Sequence, residues 1–243
     1  VNSILEHQLN DVVKDYPTMY RVVIYKSPYD PTKIKRNKNR ALLGFLSADS
    51  LDRSIRRTKR TLYDYIECND FDLFVTFTFS PKKVNRYDMD AVYMKMQGWL
   101  LRQRQKSSDF GYVIVPEKHK DGAIHFHALI SNAPFPLKQT NVIQDGHRVH
   151  NITGFRFGFT NASKIDPEDK KRALNYIAKY VTKDMVTIAN RRRYWCSKNL
   201  KKPAVYHNAM YDIFGLRDAL DHRTMTDEND FNVVYEVPKY LLD

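Results

Sequence analysis

The sequence predicts an α+β fold: a central antiparallel sheet of about five strands with helices packed on its faces. Segments of period-two hydrophobic alternation are interleaved with segments of helical spacing, in the order strand, helix, strand, strand, strand, helix. The chain has 243 residues, enough for one core with appendages, and its 42% hydrophobic and 13% aromatic content suits a folded chain.

The elements follow in order. Tyr20–Tyr25 (YRVVIY) reads as a strand ended by SPYDPTK, and Lys33–Arg40 (KIKRNKNR) as a basic loop. A helix is expected over Ser50–Glu67, with Asp49 or Ser50 as N-cap and Leu51, Ile55, Leu62 and Ile66 on its inner face. Arg53, Arg56, Arg57, Lys59 and Arg60 crowd its remaining surface, either as a solvated face or as phosphate contacts. Leu73–Ser80 (LFVTFTFS) alternates as a strand does, and Asp88–Gln105 forms a helix with Val92, Met96, Trp99 and Leu100 inward. Tyr112–Pro116 and Ala123–Ile130 are hairpin partners, with Asp121-Gly122 as the turn. Ser131–Asn151 reads as a long polar loop, Gly154–Thr160 (GFRFGFT) as a strand, and Asp166-Pro167-Glu168 as the opening of a helix that runs to about Asp184. A basic aromatic cluster, Arg191-Arg192-Arg193-Tyr194-Trp195, precedes Lys201 and Lys202, and the acidic tail carries a short strand, FNVVYEV. These elements suggest three parts: 1–70, an N-terminal strand and basic helix packing on the core; 71–205, the core; and 206–243, an acidic extension.

A formal net charge of +12 and a pI near 9.5 favour a polyanionic partner, nucleic acid or an anionic surface. No stretch has the apolar length that crosses a bilayer, and the opening residues are polar and acidic where a secretory leader is basic, then apolar. An intracellular, cytoplasmic protein is expected. Cys68 and Cys196 form no CxxC motif and read as reduced thiols.

Two segments carry chemistry. In AIHFHALI, His125 and His127 are i and i+2 on a strand, so both imidazoles face one side while Phe126 faces the other. Glu117 closes the preceding strand and lies across from them. Two imidazoles and a carboxylate, with positions left open for water and phosphate oxygen, suit manganese or magnesium better than a closed structural zinc site. His119 competes with Glu117 as third ligand; the carboxylate is preferred because it neutralises charge where phosphate must bind. In ALNYIAKYVTKD, Tyr176 and Tyr180 stand one helical turn apart, each followed three residues later by a lysine, Lys179 and Lys183. A tyrosine hydroxyl with a pKa near ~10 needs help to act as a nucleophile. A lysine and a metal would supply it by stabilising phenolate and transition-state charge. The plain alternative is an aromatic stripe packed on the sheet with snorkelling lysines.

Taken together, LFVTFTF, HFHALI and YIAKYVTKD resemble three motifs of the HUH endonuclease superfamily, in that family's order. Within it, the likeness is to rolling-circle replication initiators of plasmids and single-stranded DNA phages, in their two-tyrosine form. A glutamate eight residues before the first histidine, as Glu117 is, resembles the acidic ligand of some branches. RRRYWCSKNLKKP resembles a further segment of bacterial Rep proteins. The resemblance implies a ferredoxin-like sheet with the metal over its middle. It implies metal-dependent attack by a tyrosine on single-stranded or hairpin origin DNA, giving a 5′-phosphotyrosine link and a free 3′-hydroxyl, with rejoining at termination. It also implies a bacterial host's replication machinery and a separate helicase, since the chain carries no GxxxxGK[ST] loop. Arg53, Arg56, Arg57, Arg60, Arg191, Arg192, Arg193, Trp195, Lys201 and Lys202 are the expected DNA contacts. A relaxase or single-strand transposase of the same superfamily, or a non-catalytic DNA-binding regulator, would share much of this pattern.

Overall fold

The computed structural model describes residues 11–27, 48–144, 146–166, 169–181, 193–208 and 210–242. The basic loop Lys33–Arg40, Pro167, Glu168, Lys183, Asp184, Arg191 and Arg192 lie outside the described residues. The chain forms two compact units, one of residues 1–40 with 202–243 and one of residues 41–201.

The first unit is a five-stranded antiparallel sheet drawn from both ends of the chain. Its strands are β1 (Asp11–Asp15), β2 (Met19–Tyr25), β10 (Ala204–His207), β11 (Met225–Glu228) and β12 (Asn232–Pro238), in the order β10-β1-β2-β12-β11. The strands expected at Tyr20–Tyr25 and in FNVVYEV pair with each other as β2 and β12. Val13, Val22, Tyr211, Leu216 and Val237 form its core, with Tyr211 supplied by a short helix, α4 (Met210–Ile213).

The second unit carries the chemistry-bearing segments. Its strands are β3 (Leu73–Phe79), β4 (Gly111–Lys118), β5 (Ile124–Ser131), β6 (Leu137–Gln144), β7 (His147–Ile152), β8 (Gly158–Lys164) and β9 (Trp195–Cys196). They form one sheet in the order β6-β7-β8-β3-β5-β4-β9, so β3 and β5 lie in the interior. The fold is α+β and antiparallel as expected. The single sheet of about five strands is corrected to two sheets, of five and seven strands.

Period two divides the residues of the large sheet between two cores. Leu73, Val75, Phe77 and Phe79 of β3, with Phe126, Ala128 and Ile130 of β5, pack under helix α2 (Met89–Lys106). That helix buries Val92, Met96, Trp99 and Leu100, and Asp88 caps it by accepting from the backbone N–H groups of Asp90 and Ala91. On the other face, Phe74, Val113, Val115 and Leu129 meet helices α1 (Ala48–Cys68) and α3 (Lys170–Ala178). The inner face of α1 is Ile55, Leu62, Tyr65 and Ile66, while Arg53, Arg56, Arg57, Lys59 and Arg60 are exposed. The helix begins two residues earlier than expected, so Asp49 and Ser50 sit in its first turn instead of capping it.

Two further expectations are corrected. The loop expected over Ser131–Asn151 contains the β6–β7 hairpin, whose residues are mostly exposed and polar and so hide their period. Backbone pairing and Thr140 Oγ1, which donates to the Val149 carbonyl at 2.7 Å, hold it instead of an apolar face. The strand expected at Gly154–Thr160 is β8, displaced toward the C-terminus. Phe155 is buried from the preceding turn, so its aromatic alternation marks loop residues filling the core. Gly158 starts β8 because a Cβ there would lie 2.0 Å from the Thr78 carbonyl oxygen. Cys68 and Cys196 are free thiols. Among the described residues, no helix is long and apolar enough to cross a membrane.

Candidate functional site

The β4–β5 hairpin sets the first part of the site. Gly122, at φ 86°, takes the left-handed turn position, and Asp121 accepts from the Ala123 N–H at 3.0 Å. The resulting register pairs Glu117 with His125, Pro116 with Phe126 and Val115 with His127. Glu117, His125 and His127 therefore share the face covered by α1 and α3, and Phe126 is fully buried beneath α2.

His127 is held at both ring nitrogens. Nε2 lies 2.7 Å from Glu117 Oε2, and Nδ1 lies 3.1 Å from Thr76 Oγ1 on the neighbouring strand β3. The imidazole is 4% exposed, and burial lowers its pKa to about 4 despite the upward pull of Glu117. Burial, and then the neighbouring His119, also lower the His125 pKa. Both rings are thus neutral at physiological pH, the form that ligates a metal. Glu117, His125 and His127 are the side chains of this face that could hold a cation. Among the described residues, no three His, Cys, Asp or Glu side chains are already gathered around one point. Glu117 bonds directly to His127 instead, and His125 stacks on His119 with ring centroids 5.1 Å apart. His119, the alternative ligand, also reaches Asp121 Oδ1 through Nδ1 at 3.3 Å, which draws it toward the turn.

The tyrosines approach from α3. The helix ends at Ala178, short of the expected Asp184. The N–H groups of Tyr180 and Val181 bond to the carbonyls of Ile177 and Ala178, an i→i−3 pattern that tightens the last turn. That turn lays the Tyr180 ring flat on His127, with centroids 3.4 Å apart and planes 5° apart. Tyr176 stacks instead on Phe74, at 4.4 Å, and Phe74 in turn stacks on His127 at 6.0 Å. The two tyrosines are therefore unequal: one touches a histidine of the candidate site, and the other stands one ring away. Tyr176 also lines an open groove of about 580 Å³ with Lys171, Arg172, Asn175 and Lys179.

The expected activation by lysine is corrected in part. The Lys179 ammonium lies over the Tyr180 ring at 5.8 Å, as a cation–π contact. The Tyr180 hydroxyl pKa is raised, first by burial and then by the negative charge of Glu117 and by Tyr176. The phenol is thus held protonated in the unliganded site.

The expected DNA contacts divide. Arg53, Arg56, Arg57 and Arg60 line the outer face of α1, and Lys201 and Lys202 are exposed. Arg193 is buried, with Nε donating to Ser54 Oγ at 3.1 Å, so it braces α1 inside the fold. Trp195 is half-buried between Tyr93 and Phe126.

With this geometry in place, a comparison with protein families gives one match. Residues 72–185 match the model of the replication-associated protein ORF2 family. The matched segment begins one residue before β3 and ends beyond Tyr180, so it spans Thr76, Glu117, both histidines and both tyrosines. Comparisons with curated proteins and with solved structures give no match.

The residue that sequence reasoning missed is Thr76. Its position in LFVTFTF shows only that it faces away from the α2 core. The β3–β5 register, Thr76 opposite His127, supplies the rest.

Proposed function

We propose that this protein is a replication initiator that nicks single-stranded origin DNA, with Tyr180 as the attacking nucleophile. The observation that carries this reading is the Tyr180 ring lying on His127 while His127 shares a hydrogen bond with Glu117. The match to a family of replication-associated proteins supports the replication role, and the +12 charge supports a polyanionic substrate.

The donor set fits a divalent cation. The proton shared by His127 Nε2 and Glu117 Oε2 occupies a place where a cation would satisfy both atoms, and Thr76 already orients the ring through Nδ1. Manganese or magnesium held by His125, His127 and Glu117 would neutralise the carboxylate and draw negative charge from the scissile phosphate. Tyr180 supplies the oxygen that attacks phosphorus. As the tyrosyl O–P bond forms, the P–O3′ bond breaks; the phenol loses its proton, and the leaving 3′ oxygen gains one. The products are a 5′-phosphotyrosine link and a free 3′-hydroxyl, with no net redox change and no water consumed. Reversal by a 3′-hydroxyl rejoins the strand. Tyr176, one ring away, is the candidate for a second transfer, and Lys179 places positive charge beside both rings.

The test is incubation with a pool of labelled single-stranded oligonucleotides and manganese. A denaturation-resistant protein–DNA band is expected, lost with EDTA and in the His125→Ala/His127→Ala variant, which keeps most of its strand binding. No band with any oligonucleotide, or a band indifferent to EDTA, contradicts the reading.

A further inference from the structure

A second concavity, of about 260 Å³, lies at the β9 edge of the large sheet. Its walls include Tyr93 and Gln97 of α2, Tyr112 of β4, and Tyr194 and Trp195. It is separate from the candidate nicking site. Tyr112 and Glu117 are five residues apart on β4, roughly 17 Å at the rise of a strand, and an odd separation puts them on opposite faces.

The lining narrows the class of ligand. Four half-buried aromatic rings surround the space, and Gln97 is the amide among them. The Trp195 indole is fixed edge-on to Phe126 of the core at 5.0 Å and to Tyr93 at 4.6 Å, so the platform is held in place before any ligand arrives. The volume falls below the roughly 300–1,000 Å³ of pockets that enclose a drug-sized ligand, and it suits one planar ring system. Arg104, at the end of α2, is near enough to Tyr112 that its charge partly offsets the burial that raises that phenol's pKa. An aromatic slot with an amide and a nearby guanidinium matches a base joined to a phosphate.

We infer that this pocket holds one unpaired base of single-stranded DNA, stacked against Trp195 and Tyr93, with Gln97 at the base edge and Arg104 at the adjacent phosphate. The inference shares with the proposed function only the substrate, single-stranded DNA. The pocket would grip the strand on the sheet face opposite the nicking residues and help set the register in which the scissile phosphate is presented.

The experiment measures binding of the full chain in EDTA, so that no nicking is required. The probes are an oligothymidylate, an abasic strand of equal length, and free thymidine. Trp99 is 2% exposed and buried in the core, so quenching of tryptophan emission by the oligothymidylate reports on Trp195. Base–aromatic stacking predicts that Tyr93→Ala weakens oligothymidylate binding about 5- to 150-fold. Abasic-strand binding should be unchanged, and Tyr93→Phe should restore the affinity. Tyr93 carries the test because Trp195 also packs on the core. Equal weakening of both strands, or of neither, overturns the proposal. So does free thymidine binding as tightly as the strand, which would mark a nucleoside site. Base-dependent binding without any covalent adduct would leave this pocket standing and remove the nicking reading; an adduct without base dependence would do the reverse.

Discussion

His127 has a partner at each ring nitrogen and an aromatic ring on its face, and most of the site's chemistry follows from those contacts. The pair His125/His127 was legible in the sequence because strand period two needs no tertiary information. Glu117 was legible because a hairpin turn fixes a register. Thr76 was not, because its role depends on which strand lies beside β5, and that is a long-range fact. Removing the hydrogen-bond partner that orients a ligating histidine typically weakens metal binding about 10- to 100-fold. Thr76→Ala is therefore expected to weaken manganese affinity by that factor in a metal titration, and Thr76→Ser to restore it. Equal affinities in all three proteins would assign Thr76 to the fold alone. The lysines illustrate the opposite error. Tyr-x-x-Lys spacing suggested an ammonium at each hydroxyl, whereas Lys179 lies over the Tyr180 ring and burial dominates that phenol.

At the level of elements, apolar period decided what could be read. Helix α2 and strands β3 and β5 each bury a continuous apolar face, and their bounds lie close to those expected. The β6–β7 hairpin buries little, so its residues look like loop. The sequence Asp145-Gly146 within it is nonetheless the same turn signal that located the β4–β5 hairpin. Strand β8 was misplaced because Phe155 and Phe157 alternate without being paired. Its true start is set by a backbone approach that only glycine allows, since a Cβ at Gly158 meets Thr78 O at 2.0 Å and Ser80 N at 2.8 Å. Backbone atoms cannot swing aside as a side chain can. Gly158→Ala is thus expected to lower unfolding stability by about 2 kcal/mol or more in urea titration, the range of substitutions that force core strain. A loss below about 0.5 kcal/mol, the size of an ordinary surface substitution, would show that the β3–β8 ladder yields at this end.

For the whole molecule, the charge and the site lie in the same compact unit. The exposed arginines of α1 and the cations of the α3 groove belong to residues 41–201, as do both histidines and both tyrosines. The net charge made a polyanionic partner legible, but its distribution between units was not, because the smaller sheet draws strands from both ends of the chain. If the α1 arginines contact phosphates, each removal lowers the slope of log affinity against log salt by about 0.7 for a single strand. Arg56→Ala with Arg60→Ala should then lower it by about 1.4, measured by fluorescence anisotropy across a salt series. An unchanged slope would make that face a solvated surface.

The most direct test of the central claim is peptide mapping, by mass spectrometry, of the covalent adduct formed with a cleaved single strand in manganese. The account predicts a 5′-phosphonucleotide on Tyr180 as the first product, abolished in Tyr180→Phe and retained in Tyr176→Phe. First attachment at Tyr176, or an adduct that survives in the Tyr176→Phe/Tyr180→Phe double variant, would contradict it.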